Sequence, residues 1–260
     1  MRTIIAGDLQ VAYRERGGGS PVLLIHGNWG SSAWWEPVLA RLPEGWRGIA
    51  PDVRGRGQTA GPDSGYTLPE LSADLLAFAD ALGLNGFHLI GHSLGSAIAM
   101  QVSLDAPERV ASLTAVSPAW VDGMPAAYDV PAAQEALHAD PVFLATALKA
   151  QAPAVPADAY WERLVADARA QRLAAALRNL PALLAWQPGD RLGETGVPAL
   201  VVSGELDVFT GGANAERAAA ALGARHVVIP GVGHSPIIEA PDVFVTGWRT
   251  WVETLAAGAP

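Results

Sequence analysis

Phe87-His88-Leu89-Ile90-Gly91-His92-Ser93-Leu94-Gly95-Ser96 decides how the rest of the chain is read. A short apolar run predicts a strand, and Ser96 to Leu104 predicts a helix of small residues that packs closely on a sheet. Between them stands G-x-S-x-G. The motif has chemical meaning when it joins a strand to a helix, because the turn is then so sharp that the positions two before and two after the serine must lack bulk. Gly91 and Gly95 meet that demand. The Ser93 hydroxyl would then stand clear of the sheet at a helix N-terminus, where the Leu94 N–H can donate to a developing oxyanion.

Working outward, Val22-Leu23-Leu24-Ile25 is a continuous apolar run ending at His26-Gly27, as expected of a strand buried on both faces. Gly48-Ile49-Ala50, Val110 to Val116, Ala199 to Val202 and Arg225 to Ile229 read as further strands. Leu71, Leu75, Phe78 and Leu82 recur at helical spacing before Gly83, and Phe244, Trp248, Trp251 and Leu255 do so in Pro241 to Leu255. This alternation predicts an α/β fold with a mostly parallel central sheet flanked by helices. From 118 to 195 the strand pattern stops and a proline-punctuated, alanine-rich helical segment takes over. The expected division is a core of 1–117 and 196–260 with a helical cap over 118–195.

Composition narrows the chemistry. The 260 residues include no cysteine, which excludes disulfides, thiolate metal sites and a cysteine nucleophile. The formal charge is −9, and Lys149 is the one lysine among 17 basic residues, which argues against a nucleic-acid partner. Nothing resembles a targeting segment, and no apolar run approaches the ~18 residues that span a bilayer. A cytoplasmic protein without a membrane partner is the expectation.

A serine hydroxyl needs a base. His234 lies in the glycine-rich loop Gly231 to Pro236 after a predicted strand, and Asp207 lies in Gly204-Glu205-Leu206-Asp207 after another. Such loops, at the C-terminal ends of parallel strands, are where these sheets put their sites. Asp207 can hold the imidazole tautomer. Glu205 and Asp122 stand as alternative acids. A second oxyanion donor is expected after the first buried strand, in His26-Gly27-Asn28-Trp29-Gly30, with the Asn28 N–H as donor and Trp29 as the alternative. His26 reads as a brace of that loop, and His92 as a group that orients its neighbours. His88 reads as a strand residue, and His138 and His226 as surface positions. No metal-ligand spacing appears, so neither a metal nor another cofactor is called for.

Together these residues resemble the α/β-hydrolase superfamily, and within it the cap-bearing serine hydrolases. His26-Gly27 is similar to its HG motif, Asp52-Val53-Arg54-Gly55-Arg56-Gly57 to its D-x-R-G-x-G segment, and Gly91 to Gly95 to its nucleophile elbow. The order Ser93, Asp207, His234 is the superfamily's triad order. Its haloalkane dehalogenases and epoxide hydrolases carry aspartate where this chain has Ser93. Asn28 is similar to the dehalogenases' halide-binding asparagine, and without the aspartate it reads as an oxyanion or lactone-carbonyl contact. The resemblance implies that 118–195 is a lid shaping an acyl pocket.

Trp29, Trp120 and Trp186 are the candidate pocket walls, against a competing reading as packing residues. Arg54 and Arg56 could hold a substrate carboxylate, although arginines in this segment more often brace loops. The expected activity is hydrolysis of a carboxylic ester or lactone through an acyl-enzyme on Ser93. The small-molecule substrate would be an apolar or cyclic acyl compound, and a homodimer is left open. The alternatives are carbon–carbon bond hydrolysis of a ring-cleavage diketone and a ligand-sensing protein with little turnover.

Overall fold

The computed structural model describes residues 1–257. Its eight strands are β1 (Arg2–Ala6), β2 (Leu9–Gly17), β3 (Ser20–Ile25), β4 (Trp46–Pro51), β5 (Phe87–His92), β6 (Val110–Val116), β7 (Ala199–Gly204) and β8 (Arg225–Ile229). They form one sheet in the order β1-β2-β4-β3-β5-β6-β7-β8. β1 and β2 run antiparallel to their neighbours and every other pairing is parallel. The helices are α1 (Glu36–Leu39), α2 (Leu68–Ala81), α3 (Leu94–Asp105), α4 (Pro131–Ala139), α5 (Pro141–Gln151), α6 (Ala159–Arg169), α7 (Leu173–Ala185), α8 (Gly211–Leu222), α9 (Pro236–Glu239) and α10 (Pro241–Ala257).

The buried run in β3 explains the two-sided architecture. Val22, Leu23, Leu24 and Ile25 are all fully buried. Side chains alternate across a strand. Accordingly Leu23 and Ile25 enter one apolar cluster, with Leu71, Phe78 and Ile98, while Val22 and Leu24 enter the other, with Trp34, Trp35 and Trp248. α2 begins where Thr67 and Glu70 form a reciprocal capping box and ends before Gly83, which takes a positive φ of 68°.

The hairpin β1–β2 is absent from the reading of strands above. β2 carries Gln10, Arg14, Glu15 and Arg16, and so lacks a long apolar run. Its charges are met by neighbours: Glu15 pairs with Arg47 of β4 (2.5 Å) and with Arg2 of β1. Between β6 and β7 the chain builds α4 to α7 and no strand. Residues 258–260 of the expected core lie outside the described residues. No helix among the described residues is long and apolar enough to cross a membrane.

The strand order positions the site. The chain steps from β3 to β4 on one side, then returns to place β5 on the other side of β3. At such a switch point the loops after the two strands diverge and leave a crevice at their C-terminal ends. The His26-Gly27 loop leaves β3 there, and Ser93 leaves β5 beside it.

Candidate active site

Ser93 sits between β5 and α3 with φ 54° and ψ −122°, a conformation that costs a non-glycine residue energy and is held by its surroundings. Its N–H donates to the Val116 carbonyl (2.9 Å), and its carbonyl accepts from the Ser96 hydroxyl (2.5 Å). A Cβ on Gly91 would run into the Gly95 backbone, and one on Gly95 into the carbonyls of Ile25 and His26. The two glycines are therefore required by backbone crossing backbone. The Ser93 hydroxyl makes no protein hydrogen bond among the described residues and is not sealed from solvent.

The loops after β7 and β8 are pinned together. Leu206 N–H donates to the Val232 carbonyl (2.8 Å), and Gly204 has no room for a Cβ against Val232 and Gly233. This brings His234 Nδ1–H onto Asp207 Oδ2 at 2.9 Å, with both side chains buried. Asp207 Oδ1 accepts from the N–H groups of Phe209 (2.9 Å) and Thr210 (3.2 Å), and Oδ2 from the Thr210 hydroxyl (2.8 Å). Burial alone would raise this carboxyl. The hydrogen bond and charge of His234, with the Phe209 and Thr210 donors, instead hold it well below the usual carboxylate range. With Nδ1 committed to Asp207, His234 Nε2 has no protein partner among the described residues and stays reachable. The other candidate acids are engaged elsewhere: Glu205 accepts from Gly231 N–H, and Asp122 pairs with Arg217 (2.7 Å).

His92 braces this arrangement. Its Nε2–H donates to the His234 carbonyl (2.8 Å), and its ring stacks on Trp34 with centroids 6.0 Å apart. His26 links two loops: Val53 N–H donates to its Nε2 (3.0 Å), which leaves Nδ1–H to donate to the Gly27 carbonyl (2.9 Å). Burial pushes both imidazoles down to about 3, helped by Arg56 at His26 and by His234 at His92. Unfolded imidazoles take up protons near pH ~6.5. Between that pH and about 3 the unfolded state binds more protons, so stability falls as pH falls. Thermal unfolding from pH 7.5 to 5 should show a midpoint that declines mainly below pH ~6.5, where the unfolding free energy falls with a slope approaching ~1.4 kcal/mol per pH unit for each histidine. A flat profile would contradict neutral, buried His26 and His92.

The loop after β3 lies directly on the elbow, since a Cβ on Gly27 would stand 3.0 Å from the Ser93 Cβ. Of the two expected donors there, Trp29 N–H is already bound to Gln171 Oε1 (3.0 Å), whereas Asn28 N–H has no acceptor among the described residues. Leu94 is the first residue of α3, so its N–H is one of the helix's unpaired donors. In the D-x-R-G-x-G segment, Asp52 accepts from Ser32 and Gln58 N–H, and Arg54 grips Asp74 with two bonds (2.5 and 2.6 Å). Those two residues brace loops. Arg56 points elsewhere, to the Asn28 side chain (3.1 Å).

The three candidate tryptophans diverge. Trp29 has φ 56°, is buried, and donates from Nε1 to Gln134 of α4 (3.1 Å). Trp120 is half-buried against Tyr128, with centroids 5.1 Å apart. Trp186 donates to Gln101 (2.7 Å), two helical turns along α3 from Leu94. Gln134, Asp167, Gln171 and Asn179, which tie 118–195 to the loop after β3, carry no signal in the sequence. Their partners are more than 100 residues away.

A family model described as alpha/beta hydrolase fold matches residues 20–241. The dihydrolipoyllysine-residue acetyltransferase component of the acetoin cleaving system of Cupriavidus necator is 32% identical over 249 residues, 91% of this chain and 64% of that protein. This chain therefore spans less than two thirds of that relative. An Agrobacterium fabrum protein bearing the name carbamate hydrolase RutD is 31% identical over 243 residues, 86% of this chain and 90% of the relative. Among solved structures, a hydrolase from Pseudomonas aeruginosa PA01 superposes with a TM-score of 0.85 at 26% identity, covering 98% of both chains. With its mostly parallel sheet, its strand-to-helix elbow at Ser93 and these matches, the chain belongs to the α/β-hydrolase fold family.

Proposed function

We propose that the protein is a serine hydrolase cleaving a carboxylic ester or lactone through an acyl-enzyme on Ser93. The observation that carries this reading is the His234–Asp207 hydrogen bond on neighbouring loops, with His234 Nε2 and the Ser93 hydroxyl both left unpaired and reachable. His234 Nε2 takes the hydroxyl proton as Ser93 Oγ bonds to the carbonyl carbon. The N–H groups of Leu94 and Asn28 hold the oxyanion of the tetrahedral intermediate. His234 returns the proton to the alcohol as the C–O bond breaks. Water then attacks the acyl-enzyme by the same route and frees the acid.

In this reading residues 118–195 cover the acyl pocket. Trp29 and Trp120 are the pocket walls, and Trp186 anchors the segment on α3. A carbamate carbonyl would meet the same groups, and the similarity to a protein named for carbamate hydrolysis over 86% of this chain favours that second reading.

The test is a fluorophosphonate label followed by peptide mapping, with turnover measured on p-nitrophenyl esters, lactones, carbamates and a ring-cleavage diketone. Label on Ser93 with ester or lactone turnover is expected. Turnover of carbamates alone would select the second reading. An unlabelled, inactive protein would overturn the assignment.

A further inference from the structure

Arg56 is 1% exposed, yet no acidic side chain pairs with it among the described residues. Its Nη1 donates to the Arg54 carbonyl (3.1 Å) and its Nη2 to Asn28 Oδ1 (3.1 Å), while Nε is buried without a partner. A buried cation without an anion is expensive to keep. Burial pushes this guanidinium down to about 10, which still leaves it charged at neutral pH. Arg54, two residues away, has its own counter-ion in Asp74. Other arginines without an acidic partner among the described residues, such as Arg16 and Arg178, are exposed, whereas Arg56 is buried.

Asn28 Oδ1 accepts from two more buried groups, Gln171 Nε2 (3.4 Å) and Asn179 Nδ2 (3.3 Å). Three donors on one oxygen settle the orientation of the amide. The oxygen faces inward, and Nδ2 lies on the other branch of the planar group. Nδ2 has no protein partner among the described residues and, unlike Arg56 Nε and Asn179 Oδ1, is not sealed from solvent. Asn28 adjoins Gly27, whose missing Cβ lets the loop rest on Ser93. A free amide donor backed by an uncancelled positive charge is therefore carried by the residue next to the glycine that rests on Ser93.

Resting on the serine-hydrolase reading above, we propose that Arg56 is a positioning residue for the oxyanion. With Gln171 and Asn179 it turns the Asn28 side-chain amide toward the substrate as a third donor. Its charge acts on the forming oxyanion through that polarised amide. Negative charge appears on the substrate oxygen only as the tetrahedral intermediate forms, so the effect belongs to kcat and not to KM.

Two variants of the full chain, assayed on p-nitrophenyl acetate, test this. Asn28→Asp is of equal size and gives the buried guanidinium a carboxylate. It should unfold at or above the wild-type temperature while kcat falls by at least ~100-fold and KM stays within about threefold. Arg56→Met should lower kcat by ~10- to 100-fold and weaken phenylboronic acid, which forms a tetrahedral anion on Ser93, by a similar factor. In an Asn28→Ala background Arg56→Met should add less than about threefold, because the two residues act as one unit. A folded Asn28→Asp protein with kcat within about threefold of wild type would overturn the proposal. So would an Arg56→Met loss that persists undiminished in the Asn28→Ala background. Labelling separates the two levels: a wild type that takes the fluorophosphonate while the variants match its labelling rate and turnover overturns this proposal alone, and a wild type that takes no label overturns both.

Discussion

Replacing Ser93 with alanine is expected to lower kcat on a p-nitrophenyl ester by about 10⁴-fold or more. The backbone at this position is held by its surroundings and not by the hydroxyl. The Ser93 N–H is tied to Val116, and the crossing of Gly91 over Gly95 sets the turn. An alanine can therefore keep the φ of 54° that serine keeps. The unfolding midpoint should move little, and KM should change less than kcat, since the proposed oxyanion donors and pocket walls would stay in place. Circular dichroism, thermal unfolding and steady-state kinetics on the same preparation check this. A folded variant within tenfold of wild-type turnover would remove Ser93 as the nucleophile.

Asp207→Asn should cost nearly as much, about 10⁴-fold in kcat, through the proton on His234 and not through displacement of the ring. The reason lies in what holds the carboxylate. Asp207 Oδ1 already accepts from Phe209 and Thr210 N–H groups, so an asparagine places its carbonyl oxygen there. Its NH2 then faces His234 Nδ1, where the native Oδ2 accepts at 2.9 Å. Two donors cannot share that contact. Nδ1 must become the acceptor, which moves the imidazole proton to Nε2, and a protonated Nε2 cannot take the proton of Ser93. Nitrogen NMR of the imidazole should report the tautomer change alongside the kinetic loss. Turnover within tenfold of wild type would free Asp207 from this role. The substitutes read from the sequence would have to leave Gly231 or Arg217 to replace it.

The strands that decide the fold were legible where burial on both faces makes them uniformly apolar, as in Val22 to Ile25 and Phe87 to Ile90. The hairpin Arg2–Gly17 was not, because β2 mixes charges with apolar residues and only its neighbours on β1 and β4 explain them. Ser93, Asp207 and His234 could be proposed because each ends a recognisable strand or sits in its loop, and parallel strands deliver those loops to one edge of the sheet. The sequence order of the loops was enough to make that proposal.

What the sequence determined by itself is local chemistry: strand, elbow, helix starts and the two glycines that a sharp turn requires. It left open which N–H of Asn28-Trp29 faces the elbow, what Arg56 is for and where Trp186 goes. Those placements depend on side chains from 118–195 meeting residues far away in the chain: Gln171 on Trp29 and Asn179 on Asn28, each across more than 100 positions, and Trp186 on Gln101 across 85. Local propensity has no term for such meetings. They exist because packing the helical segment against the loop after β3 and against α3 buries polar groups, and most such groups find a partner wherever the chain happens to bring one.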